Sequence, residues 1–151
     1  MRLVAALTLL LLASCSSFSE RWASAQFNEI SYPALYQVVV TTLGAEGYVV
    51  RNFDAQTAKL DTEWVYGTSQ RQVRGPSRRK VIALIEPVED EDFRVSLRVA
   101  EEVIRKGGLL ATNVRESDDW ESFDDNYDDA DYVIAKLAAL LDAHRSRNPQ
   151  P

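Results

Sequence analysis

Strict alternation of apolar and polar side chains over residues 93–99 constrains the fold more than any other pattern in this chain. The apolar positions are Phe93, Val95, Leu97 and Val99, and the polar positions between them are Arg94, Ser96 and Arg98. A period of two is typical of a β-strand that buries one face and exposes the other. The segment therefore predicts a sheet with one apolar face that another layer must cover.

Three earlier segments, 48–53, 59–66 and 80–87, show related patterns and predict three more strands. In the second of them, the alternation places Leu60, Thr62, Trp64 and Tyr66 on one face. Short polar links between consecutive strands favour antiparallel pairing. We therefore expect a four-stranded antiparallel meander.

Two amphipathic helices are predicted on either side of the strands. The first begins after Ser31, a good N-cap residue, and ends near Gly44 and Gly47. Its apolar stripe is Tyr32, Leu35, Tyr36, Val39, Val40 and Leu43. The stripe of the last helix is Ala130, Val133, Ile134, Leu137, Leu140, Leu141 and His144. Together these elements predict an α+β two-layer sandwich over residues 31–147, with both helices on one face of the sheet.

The N-terminus carries an export pattern that ends at the only cysteine. A basic start is followed by an uncharged apolar run over residues 3–13, which is too short for the ~20 residues of a membrane span. The stretch Leu12-Ala13-Ser14-Cys15 resembles the lipobox of bacterial lipoproteins. That resemblance implies removal of residues 1–14 and acylation of Cys15 on its sulfur and its amine. An ordinary signal peptide with a chance cysteine is the alternative.

Residues 15–30 follow as the lipidated cysteine and a tether, and residues 148–151 form a loose C-terminal tail. Fifteen residues reach at most about 50 Å when fully extended. Trp22 could pack back on the domain or lie at the membrane interface. Ser16 is not aspartate, which in lipoproteins of this type favours the outer membrane, so we expect a domain facing the periplasm.

Two segments of opposite charge flank the later strands. Residues 67–80 predict a flexible basic loop suited to an anionic surface or an acidic protein partner. Its basic residues are Arg71, Arg74, Arg78, Arg79 and Lys80. The acidic stretch 116–131 alternates Asp124, Asn126 and Asp128 like the start of a calcium loop, but Asp129 replaces its glycine. We therefore expect no metal there, and a solvated stretch or one in contact with the basic loop.

Residues able to carry catalysis are scarce. The single histidine, His144, ends an apolar helical stripe, and Cys15 is consumed by acylation. No phosphate-binding loop, nucleophile elbow or histidine-rich metal motif is present in the sequence. A formal net charge of −6 argues against nucleic acid. We expect no enzyme and no cofactor.

The segment from Tyr32 to Tyr66 resembles the repeated domain of BamC-type lipoproteins, which belong to the outer-membrane protein assembly machine. The resemblance lies in the amphipathic helix, the Gly47-Tyr48-Val49-Val50 turn, Asp54 and the strand 58–64. It implies a non-catalytic accessory that binds an envelope protein, and it assigns no functional residue here. The alternative is a carrier of a small amphiphile. A carrier needs a cavity between sheet and helices, lined by Tyr36, Trp64, Tyr66 and Leu137.

Overall fold

The computed structural model describes residues 20–69, 75–104 and 119–147. Within these ranges the chain forms seven strands and two helices, which confirms the α+β class. The strands are β1 (Ala23–Phe27), β2 (Val50–Asp54), β3 (Lys59–Thr62), β4 (Val65–Ser69), β5 (Gly75–Glu89), β6 (Asp92–Val103) and β7 (Glu121–Ser122). The helices are α1 (Tyr32–Ala45) and α2 (Tyr127–Arg147).

All pairings in the sheet are antiparallel, in the order β1-β6-β5-β3-β2. Strands β4 and β3 follow each other along one side of β5, and β7 and β1 share one side of β6. The long β5–β6 hairpin is the centre of the sheet, with Val81 opposite Val99 and Ile82 opposite Arg98. This register decides which side chains face the helices.

The helices cover one face of the sheet, which we call the inner face. Its central side chains are Val81, Ala83, Ile85, Val95, Leu97 and Val99, all at most 1% exposed. They share one apolar cluster with Leu35, Val39 and Leu43 of α1 and with Val133 and Leu137 of α2. Burial of this many branched side chains supplies the main free energy of folding, at roughly 1.5–3 kcal/mol each.

The outer face is the opposite one, which neither α1 nor α2 covers. Alternation along β5 and β6 sends Arg78, Lys80, Arg98 and Glu102 to it. The inner face is mainly apolar, whereas the outer face mixes these charged side chains with apolar ones such as Ile82.

Both predicted helices are confirmed. The helix α1 buries Leu35, Val39 and Leu43 of the predicted stripe, and also Thr42, which the stripe does not include. It is followed by Gly47, whose φ of +82° lies in the left-handed region that glycine adopts freely. At the start of α2, the side chain of Asn126 accepts a hydrogen bond of 3.3 Å from the backbone N–H of Asp129. Asn126 is therefore the N-cap of the helix.

The predicted four-stranded meander is wrong in detail, because the segment 59–66 is two strands. At the break, the Thr62 hydroxyl accepts the backbone N–H of Val81 at 2.9 Å, where a backbone carbonyl would otherwise continue the ladder. The N–H of Glu63 instead donates to the carbonyl of Val49 at 2.8 Å. The chain leaves β5 for two residues and rejoins it as β4, so that Tyr66 faces away from the side that Leu60 occupies.

The predicted tether over residues 15–30 is also wrong in part, because residues 23–27 form β1. This strand pairs with β6 from Ala23 opposite Leu97 to Phe27 opposite Phe93. Ala23 and Phe27 are buried in the core. The residues of β1 are mostly small or polar, so the sequence shows no clear apolar alternation there. The backbone of β6 supplies the pairing partner.

Candidate functional site

The five predicted basic residues do not form one loop. Arg71 and Arg74 lie outside the described residues. Arg78, Arg79 and Lys80 lie on β5 rather than in a flexible loop, which corrects the prediction for them. Because alternate side chains of a strand face opposite ways, Arg78 and Lys80 belong to the outer face and Arg79 to the inner face.

Arg79 forms an ion pair with Asp129 in the first turn of α2. Asp129 also accepts a hydrogen bond of 2.9 Å from the side-chain amide of Asn126. The acidic stretch thus contacts a residue of the predicted basic segment, which is the second of the two alternatives that the sequence left open for it. Because Asn126 caps α2 and binds Asp129, its side chain is committed to the helix start rather than to a cation.

A small cleft of about 210 Å³ opens beside this ion pair. It is lined by Glu46, Tyr48, Arg79, Asp129, Tyr132 and Val133. Burial raises the pKa of the Tyr48 phenol above its ordinary value, with nearby carboxylates adding to the rise and Arg79 opposing it. Within this cleft Arg79 is neutralised by Asp129, and Glu46 is paired with Lys136. The charged side chains that line the cleft are therefore paired with one another or with Lys136, and the Tyr48 phenol beside them is neutral.

The outer face carries a cluster of aromatic and basic side chains, which we call the tryptophan–arginine cluster: Trp64, Tyr66, Arg78, Lys80 and Trp120. The guanidinium carbon of Arg78 lies 4.5 Å from the ring centroid of Trp64 and 4.5 Å from that of Trp120. The Lys80 ammonium lies 5.0 Å from the Trp64 ring. The Tyr66 ring meets that of Trp120 at 5.9 Å. These are cation–π and edge contacts of ordinary geometry.

Arg78 is the centre of this cluster and is only 12% exposed. Its Nε and Nη2 approach the Oε2 atom of Glu102, on the neighbouring strand, at 2.7 and 2.6 Å. Its Nη1 is buried without a hydrogen-bond partner. A guanidinium held this way orders two tryptophan rings, and it carries its charge inside the cluster rather than at the surface.

A second group of ion pairs, centred on Arg98, lies at the edge of the outer face. Arg98 donates from Nε to Asp125 at 2.7 Å and from Nη1 to Glu20 at 2.6 Å. The same carboxylate oxygen of Asp125 accepts the backbone N–H of Arg21 at 2.8 Å. Asp125 therefore joins three parts of the chain: the start of β1, the middle of β6 and the segment before α2.

The sequence pattern missed the tryptophan–arginine cluster, because it placed Trp64 with Leu60 on the inner face. The break after Thr62 reverses that assignment for the residues that follow. One signal in the sequence does point to the cluster: Arg78 and Lys80 are two residues apart, so they share one face of a strand.

The cavity that a carrier would need is not formed by the four residues predicted for it. Trp64 and Tyr66 belong to the outer face, through their contacts with Arg78 and Trp120. Leu137 is buried in the inner core, and Tyr36 packs on Phe53 at 5.0 Å on that same side. The sheet separates the two pairs, so they do not line one cavity.

Other predicted sites can be placed only in part. Cys15 lies outside the described residues, and His144 lies on α2 with a side chain that is not described. Among residues 20–69, 75–104 and 119–147, no group of three or more His, Cys, Asp or Glu side chains is arranged to hold a metal ion. Within the same ranges, neither helix is long and apolar enough to cross a bilayer.

Searches against known protein families and against curated protein sequences find no match to this chain.

Proposed function

We propose that this protein is a lipid-anchored lipoprotein of the bacterial envelope that binds a protein partner and performs no catalysis. The observation that carries the proposal is the stretch Leu12-Ala13-Ser14-Cys15 at the end of the apolar run. Acylation of Cys15 with two or three chains would give stable anchoring, since one chain alone binds a membrane only marginally. Ser16 favours the outer membrane, with the domain on its periplasmic side.

The position of β1 supports a short link between anchor and domain. Glu20 is already bound to Arg98 on β6, and it is five residues after Cys15. Five extended residue steps span at most about 18 Å. The domain would then be held at the bilayer surface, where its partner would be a membrane-bound or membrane-adjacent protein. By the BamC-type resemblance, that partner would belong to outer-membrane assembly or maintenance.

The arrangement of charged groups favours binding over chemistry. The polar side chains around the cleft and around Arg98 are engaged in ion pairs with one another. Of the five basic residues predicted for partner binding, Arg78 and Arg79 are paired with Glu102 and Asp129 within the fold. We assign the contact with the protein partner to Arg71 and Arg74.

The anchor is tested by replacing Cys15 with alanine in the source cell. We expect the wild-type chain to fractionate with outer membranes and its N-terminal peptide to carry the mass of acyl chains on Cys15. The Cys15→Ala chain should lose both properties. Sedimentation of an unacylated, full-length chain with membranes would overturn the proposal.

Partner binding is tested on the acylated chain, extracted in mild detergent and sized by light scattering. We expect a complex of defined mass that the Arg71→Glu/Arg74→Glu variant weakens. A Gln37→Glu/Thr41→Glu variant, on the exposed face of α1, is the control and should leave the complex intact. A wild-type chain that runs only as a monomer would contradict this part of the proposal.

A further inference from the structure

We propose that the outer face of the sheet is a membrane-contact surface that lies against the phospholipid headgroups of the bilayer in which Cys15 is anchored. The inference deepens the proposed function and rests on it for the anchor. Its first support is that all three tryptophans of the chain belong to this face. Trp64 and Trp120 contact Arg78, and Trp22 precedes Ala23, whose side chain faces the core, so Trp22 alternates to the outer side.

Tryptophan and tyrosine are suited to the boundary between headgroups and acyl chains, because each has a large apolar ring and one polar group. Here the rings stand beside basic side chains rather than alone. Tyr66, at 47% exposure, extends the aromatic surface, and Lys80 adds an ammonium beside Trp64. Aromatic rings beside lysine match the two chemistries of a phospholipid surface, which are apolar glycerol and acyl segments beneath phosphate oxygens.

The outer face carries charges of both signs. Outward-facing positions of β3, β5 and β6 hold five cations and five carboxylates. The cations are Lys59, Arg78, Lys80, Arg94 and Arg98, and the carboxylates are Asp61, Glu86, Glu89, Asp92 and Glu102. Because Arg78 is paired with Glu102 and Arg98 with Glu20 and Asp125, contact with phosphate oxygens depends on single cations, above all Lys80 beside the Trp64 ring.

The route of the chain places the anchor at this same face. Glu20 is bound to Arg98, which faces outward, and the Trp22 indole donates to the other oxygen of Glu20 at 3.4 Å. Cys15 is five residues before Glu20, so the acyl chains enter the bilayer within about 18 Å of the edge of the outer face. The aromatic face and the short covalent link thus indicate the same orientation, with the helices directed away from the membrane.

The test uses the acylated protein with Trp22→Phe, because Trp22 lies near the anchor and would be quenched by proximity alone. The protein is reconstituted in vesicles of three parts phosphatidylethanolamine to one part phosphatidylglycerol, with a trace of lipid carrying a nitroxide on its headgroup. We expect the nitroxide to quench the fluorescence of Trp64 and Trp120. In the Lys80→Gln/Arg94→Gln variant we expect at least half of that quenching to be lost.

The matched control is Gln37→Glu/Thr41→Glu, which changes the net charge by the same amount on the exposed side of α1. It should leave the quenching unchanged. Absence of quenching in the wild type, or equal quenching in the Lys80→Gln/Arg94→Gln variant, would overturn the inference and leave the anchor in place. Protection of both rings from the nitroxide and from aqueous iodide alike would also overturn it, because a protein or a second copy would then cover the face.

The Cys15→Ala mature chain, which has no acyl chains, separates failure of the proposed anchor from failure of the headgroup contact. If the source cell does not acylate Cys15, headgroup binding is still measured by co-sedimentation of this chain with the same vesicles. About 1 kcal/mol for each basic residue near an anionic surface predicts a roughly 30-fold loss of affinity in the Lys80→Gln/Arg94→Gln variant. An unchanged affinity would refute the headgroup contact independently of the anchor.

Discussion

Replacement of Phe27 by alanine tests whether the segment before α1 belongs to the fold. Phe27 is the last residue of β1, only 6% exposed, and packs in the core opposite Phe93. Loss of a buried phenylalanine side chain costs about 3–5 kcal/mol, from the lost burial and the cavity that it leaves. Because β1 pairs with a single neighbour in the sheet and can relax, we expect the lower end, about 3 kcal/mol.

The measurement is urea unfolding followed by circular dichroism. With a urea dependence of about 1–3 kcal/mol per M, the midpoint should fall by about 1–3 M. The control is Gln26→Ala, one residue earlier and on the exposed side, which should change the free energy of unfolding by less than about 0.5 kcal/mol. If the two variants are equally stable, residues 23–27 are a tether as the sequence pattern predicts, and the pairing of β1 with β6 is refuted.

Two further variants test the buried polar groups. Asp125, 5% exposed, accepts hydrogen bonds from Arg98 and from the backbone of Arg21 just before β1, so Asp125→Ala should cost about 1–3 kcal/mol in the same urea assay. The exposed Asp131→Ala is its control, and equal effects would contradict the bridging role. Burial raises the pKa of Tyr48, so its neutral form contributes stability that is full below about pH 10 and lost as the pH rises through the folded-state pKa. The Tyr48→Phe variant should therefore show a smaller fall in urea midpoint between pH 8 and pH 11 than the wild type. The control, Tyr66→Phe at a half-exposed position, should show the same fall as the wild type. If Tyr48→Phe also shows the wild-type fall, Tyr48 is not its source.

Local sequence patterns predict the buried side chains correctly where the periodicity of apolar residues agrees with the packing of the element. The alternation over residues 93–99 and most positions of both helix stripes predict buried side chains that the core contains, among them Leu97, Leu35 and Leu137. The stripe of the last helix is wrong at Leu140, which is 47% exposed. Each of these residues is apolar enough for its own burial to decide its orientation. The fold class follows from those elements, because an apolar sheet face and two apolar helix stripes must cover one another.

The tertiary structure decided the features that depend on a distant partner. The strand β1 forms because β6 offers a free edge, and the break after Thr62 forms because the Val81 N–H takes a hydroxyl as its acceptor. That break moves Trp64 to the outer face, beside Arg78, where no period of the local sequence places it.

The proposed address of the protein and the shape of its surface thus rest on different levels of structure. Neighbouring residues alone carry the export-like pattern, the candidate acylation site at Cys15 and the indication of an α+β class. The ion pairs of Arg78 and Arg79 and the placement of three tryptophans on one face depend instead on strand pairing. The reason is physical: a strand shows which side chains alternate, but the pairing of its backbone determines which face each side chain joins.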